Sequence, residues 1–125
     1  DLFTFSFGGM RPFSEMIKEF IGIRDYILKE ALSDRHVPLF EQDKFPSTKT
    51  ELLALRDQVL ISLLSECKMI QNYGQEISPY QMKFSIAQWI LYIIENETHH
   101  RGLAYVYLRA VGIQPPFFWK RGSFK

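Results

Sequence analysis

From Phe13 onward, apolar side chains return every three or four residues: Phe13, Met16, Ile17, Phe20, Ile23 and Ile27 form one stripe, the spacing of an amphipathic helix. Pro12 suits the first helical position, where its missing N–H would have had no partner, so a helix is predicted over about Pro12 to Leu32. Glu19 stands at the edge of the stripe, beside Met16 and Ile23, where either orientation is open. A second run, Leu52, Leu55, Val59, Leu60, Leu63, Leu64 and Ile70, follows Thr48 and Glu51, which have capping-box spacing. It predicts a helix reaching about Gln71 or Asn72, with an apolar face wide enough for more than one neighbour and hence a central place in the fold. Ser85 and Gln88 repeat the capping spacing before Trp89, Ile93, Leu103, Tyr107 and Val111. A third helix is therefore predicted over about Ile86 to Val111, stopped by Gly112 and Pro115-Pro116.

The intervening segments lack either period. Residues 1–11 read as an extended lead-in closed by a Gly8-Gly9 turn, and 33–47 and 72–84 as irregular connections. Three long helices give an all-α bundle, yet they leave a wide apolar face uncovered, so a fourth helix is wanted. It would come from residues before Asp1 or from a second subunit. The chain opens on Asp1 without an initiator Met and runs straight into apolar and aromatic residues, so residues 1–125 are expected to be a single domain that is incomplete at its N-terminus.

Composition narrows the function classes. The chain is 46% hydrophobic and 15% aromatic, ample for a packed core. Fifteen Lys plus Arg against 14 Asp plus Glu, a net charge of +1, give no electrostatic reason to expect nucleic acid or an anionic membrane as partner. No apolar stretch is long enough for a membrane span, and no signal peptide is visible. The lone Cys67 cannot form an internal disulfide, which suits the cytoplasm. It lacks a neighbouring His or a Cys-x-x-Cys spacing and reads as a buried, inert thiol.

The chemistry concentrates in Glu95 to Pro116, ENETHHRGLAYVYLRAVGIQPP. Asn96 and His100 fall on the third helix's apolar stripe, one turn apart, and so point toward the core. A buried polar group without a partner costs about 1–3 kcal/mol, so the pair needs a hydrogen-bonding neighbour, a water or a metal ion. His99 is turned about 100° away and reads as a surface or interface residue, as does His36. Glu97 and Arg101 have the i,i+4 spacing of an exposed ion pair, with a substrate-binding Arg101 as the sharper alternative. Gly102 in mid-helix suggests close packing of another helix. The tail, Phe117, Phe118 and Trp119 followed by Lys120, Arg121 and Lys125, reads as a docked aromatic segment with a solvated basic end. No phosphate-binding glycine loop, Cys-rich zinc pattern or Gly-x-Ser-x-Gly elbow occurs.

The same stretch resembles the DinB-like superfamily, which includes the YfiT-type bacterial thiol transferases of the bacillithiol kind. Thr98, His99, His100, Arg101, Gly102, Tyr107, Leu108, Arg109, Gly112, Pro115 and Pro116 match that family's pattern in kind and order. GGMRPFSEMIKEFIGIRDYIL is similar to the segment leading into its second helix. The resemblance implies a four-helix bundle whose first helix precedes Asp1, and a homodimer. It also implies a metal triad of one His from the second helix and two from the fourth. By position those sites are Glu19, Asn96 and His100, and only His100 keeps the family residue, while Leu103 replaces a family Gln. An oxygen-rich set of this kind should hold zinc, nickel or manganese weakly or not at all.

Three functions are compatible with this reading: a degenerate divalent-metal site in a small-molecule pocket, a metal-dependent transferase acting on a low-molecular-weight thiol, or a non-catalytic dimeric stress or interaction protein. A direct network, with Glu19 accepting from His100 and Asn96, would replace the metal.

Overall fold

The computed structural model describes residues 3–33 and 46–117. Three helices dominate: α1 (Phe13–Leu32), α2 (Lys49–Met69) and α3 (Ile86–Ala110). Both expected capping boxes form. Thr48 and Glu51 cap α2, and Ser85 and Gln88 cap α3, each pair closing reciprocal bonds between side chain and backbone, which satisfies N–H groups that have no partner inside the helix. Gly112 ends α3 at φ 76°, a left-handed position that glycine adopts without steric penalty.

The lead-in and the second connection carry more structure than their sequences suggest. Gly8 and Gly9 turn the chain at φ 58° and 74°, and the lead-in folds back so that the Phe5 and Phe3 carbonyls accept from the Phe13 and Ser14 N–H groups at 3.0 Å. Backbone thus caps α1. Residues 76–85, expected to be irregular, contain two short antiparallel strands, β1 (Glu76–Ile77) and β2 (Phe84–Ser85), paired Glu76 to Ser85 and Ile77 to Phe84. A 3-10 turn, Pro79–Gln81, joins them. Two-residue strands leave almost no alternation to read, which is why no period announces them. Just before this pairing and at its base, Gln75 and Tyr73 lend their carbonyls to the Ile86 and Ala87 N–H groups at 2.9 Å, so this connection caps α3.

The expectation that α2 is central is corrected. α1 packs against both α2 and α3, whereas α2 and α3 hardly touch each other. Accordingly α1 buries residues beyond a single stripe, Ile21, Tyr26 and Leu28 as well as Met16 and Ile27. On α2 only Leu52 and Val59 are buried, with Ile70 just past its end, and Leu60 and Leu64 lie exposed. The apolar side chains of α2 are spread around the helix rather than gathered on one face, and helix centrality depends on which faces find partners. Leu53 and Ile61 on α2 and Leu91, Ile94 and Val106 on α3 are exposed as well. No helix among the described residues is long and apolar enough to cross a membrane.

The larger core cluster joins Tyr26, Ile27 and Leu28 of α1 to Ile70, Ile77, Ile86, Trp89 and Ile93. A smaller one joins Ile21 to Leu52 and Val59. Contacts between α1 and α3 run in opposite numerical order, Phe13 with Tyr107, Glu19 with His100, Arg24 with Glu97, so the two helices are antiparallel.

Candidate functional site

Most of the stripe read on α3 does face inward. Trp89, Ile93, His100 and Tyr107 are buried, Asn96 and Leu103 are half-buried, and Val111 at the end is exposed. His100 is only 2% exposed, with Phe20 of α1 stacked on its ring at 6.3 Å. Glu19 turns toward the same face, placing Oε1 3.3 Å from His100 Nε2. The contact is electrostatic; the ring N–H does not aim at the oxygen, and neither His100 nitrogen holds a well-formed hydrogen bond among the described residues. Burial pushes the His100 pKa down; the Glu19 carboxylate opposes that, while His99 and Arg11 reinforce it. The ring is therefore neutral near pH 7.

Glu19 has a second partner that the sequence did not announce. Arg11 reaches its Oε2 with a guanidinium nitrogen, and the placement of Arg11 is built from the aromatic lead-in. Phe5, Phe7 and Phe13 pack edge-on around the Tyr107 ring at 5.3–6.1 Å, and the Tyr107 hydroxyl donates to the Arg11 carbonyl. The lead-in thus holds a cation over the carboxylate. Asn96 makes no hydrogen bond to Glu19 or His100 among the described residues.

One turn earlier on α3, a second charged group spans the same two helices. Glu97 accepts from Arg101 at 2.7 Å through Oε1 and from Arg24 of α1 through Oε2. The expected Glu97–Arg101 pair is present, but it is partly buried and belongs to a three-residue cluster. A signal for Arg24 existed: Phe20, Arg24 and Ile27 stand at i, i+4 and i+7, which sets a cation directly on the apolar stripe.

Other expectations fare unevenly. His99 is exposed, its ring edge-on to His100 at 5.2 Å. Gly102 is exposed, and a Cβ there would meet nothing within 4 Å, so the inferred close helix packing is absent among the described residues. Cys67 is half-buried with its thiol pKa raised by burial, as an unreactive thiol should be. His36 and residues 118–125 of the tail lie outside the described residues.

Sequence comparison supplies the context for this geometry. The family model described as the DinB family matches residues 26–122. The chain belongs to the DinB family. Comparison with curated proteins gives no significant match. The DinB match takes in Asn96, Glu97, His100 and Arg101 but begins after Glu19, whose place in the site rests on the contact with His100. Among the described residues no three His, Cys, Asp or Glu side chains gather as a metal-holding group. At His100, Glu19 and Asn96, the positions to which the resemblance assigns ligands, stand one buried imidazole, one carboxylate paired with a guanidinium, and a half-buried amide. That donor set does not fit a tight centre, for which three strong nitrogen, sulfur or carboxylate ligands are usual.

Proposed function

We propose that this DinB-family bundle carries a degenerate divalent-metal site within a small-molecule pocket, in which the Arg11 guanidinium stands where a cation would otherwise neutralise Glu19. The observation that carries the reading is the Arg11–Glu19–His100 arrangement: a carboxylate shared between a cationic side chain and a buried, neutral imidazole whose nitrogens make no well-formed hydrogen bond among the described residues. Such an imidazole retains a lone pair for a ligand, since a buried nitrogen gains from any acceptor or donor brought to it. A divalent ion entering here would have to displace or repel Arg11, and like charges at contact distance lower its affinity. Glu19, His100 and, weakly, Asn96 are the residues that would hold it.

The test is titration of purified, metal-stripped protein with zinc, nickel and manganese, followed by calorimetry and elemental analysis. Weak binding that disappears in His100→Ala is expected. Stoichiometric metal retained through purification and dialysis would overturn the degenerate reading, and so would binding indifferent to His100→Ala.

A further inference from the structure

Arg24 is a buried cation with an unfinished hydrogen-bond set. Its side chain is 8% exposed and, among the described residues, makes one ion pair, to Glu97, while its buried Nε has no hydrogen-bond partner there. A guanidinium offers five N–H donors, and leaving one of them desolvated and unpaired is costly for a charged group. Glu97 meets Arg24 through one oxygen only, and its other oxygen is bound to Arg101. Two arginines therefore share a single carboxylate. Among the described residues here, three guanidiniums, Arg11, Arg24 and Arg101, meet two carboxylates, Glu19 and Glu97. Arg101 is 37% exposed and Glu97 34%, so the cluster opens outward on the α3 side while Arg24 closes its inner end.

We infer that Arg24 and Arg101 form an oxyanion-binding subsite beside His100, which takes the carboxylate or phosphate group of a small-molecule ligand. The planar forks of two arginines match the paired oxygens of such a group. Glu97 is the movable part: half-exposed, it turns outward as the anion takes its place between the two guanidiniums, and the anion supplies Arg24 with the acceptor its Nε lacks. The lengthwise position suits a ligand that also reaches the imidazole, since Glu97 and His100 are three residues apart on one helix, a rise of about 4.5 Å. The subsite does not depend on a metal at His100, so its test is separable from the metal titration.

The experiment follows the arginine Nε–H resonances of the full chain by nitrogen-15 NMR, with chelator present, during titration with inorganic phosphate and with acetate at constant ionic strength. A saturable shift of the Arg24 resonance is expected with at least one anion. Arg101→Gln, at a partly exposed position that leaves the core intact, should weaken that binding about tenfold or more, the effect of losing about 1.4 kcal/mol, and Arg101→Lys should recover part of it. Glu97→Gln removes the competing charge and should tighten it. An Arg24 resonance that stays still with both anions overturns the subsite, as does a shift of equal midpoint in the wild type and Arg101→Gln.

Discussion

The two ends of the α1–α3 contact are built on opposite principles. At one end, Trp89 is fully buried, enclosed by Tyr80, Phe84 and Tyr92 with ring centroids 5.4–6.4 Å away, and its single donor reaches the Ile77 carbonyl at 3.4 Å. At the other end the same two helices meet through Arg11, Glu19, Arg24, Glu97 and His100, and several buried nitrogens there lack hydrogen bonds. Apolar packing of the first kind stabilises without inviting anything in. Polar burial of the second kind adds little stability and leaves groups that a ligand could satisfy. One helix pair thus separates the part that folds the protein from the part that offers chemistry.

The comparison would break most visibly at Trp89. Trp89→Ala should cost about 3–5 kcal/mol, as removal of a large enclosed aromatic does, read as a lower midpoint in urea unfolding. His100→Ala should cost clearly less, because it removes unsatisfied nitrogens along with the ring. If the two losses were equal, the polar end would be as much a stabilising core as the aromatic one.

A smaller effect tests the polar end from the opposite direction. Replacing Asn96 by His adds a strong nitrogen ligand one turn from His100, and Arg11→Gln removes the cation that competes for Glu19. The double variant Arg11→Gln/Asn96→His should bind zinc or nickel at least tenfold more tightly than the wild type, about 1.4 kcal/mol. Calorimetric titration of the two proteins side by side checks it; unchanged affinity would mean that these three positions do not converge on one ion.

How far this contrast could be read from the chain follows from what each feature depends on. The helices announced themselves because period and capping are local: Thr48 with Glu51, Ser85 with Gln88, and the Trp89 to Tyr107 stripe. His100 was legible for the same reason, as a polar residue at an apolar position, and Glu19 as its neighbour through family resemblance. Arg11 was not, because its role arises from a lead-in that folds back onto Tyr107, a contact across 96 residues. Arg24 sat in plain view on the α1 stripe, and reading only the apolar members of that stripe concealed it. The central position of α1 was hidden too, since α2 has the more continuous run of leucines yet leaves much of it uncovered.

Acidity should separate the two ends again, more gently. The His100 pKa in the folded protein is depressed, chiefly by burial, while in the unfolded chain it returns to about 6.5. The unfolded state therefore binds the proton at a higher pH than the folded state does, so this contribution to stability is present above about pH 6.5 and declines as pH falls toward the depressed folded value. Glu19 and Arg11 face the ring from the α1 side and His99 from its own helix, and Glu19 moderates the decline. Urea unfolding at about pH 7, 6 and 5 should show a stability loss that is smaller in His100→Gln, whereas Trp89→Phe should keep the wild-type slope. A His100→Gln protein with the full slope would assign the effect to other groups.

The aromatic end has one flaw of its own, and it supplies the smallest test. Tyr80 and Gln81 both adopt left-handed backbone, at φ 53° and 62°, where a side chain other than glycine costs about 1 kcal/mol per residue. Tyr80 has compensation: its ring lies 5.0 Å from Tyr26 and 6.4 Å from Trp89, and burial raises its hydroxyl pKa to about 12. Gln81 is exposed and gains nothing comparable. Gln81→Gly should therefore relieve the strain, offset by the greater freedom glycine has in the unfolded chain, for a net stabilisation of a few tenths of a kcal/mol. Tyr80→Gly should destabilise despite relieving the same torsion, because it removes the ring that joins β1 and β2 to α1 and α3. Opposite signs for these neighbouring substitutions, measured by thermal unfolding, would locate the strength of this end in its aromatic packing; a common sign would place it in the backbone of the turn.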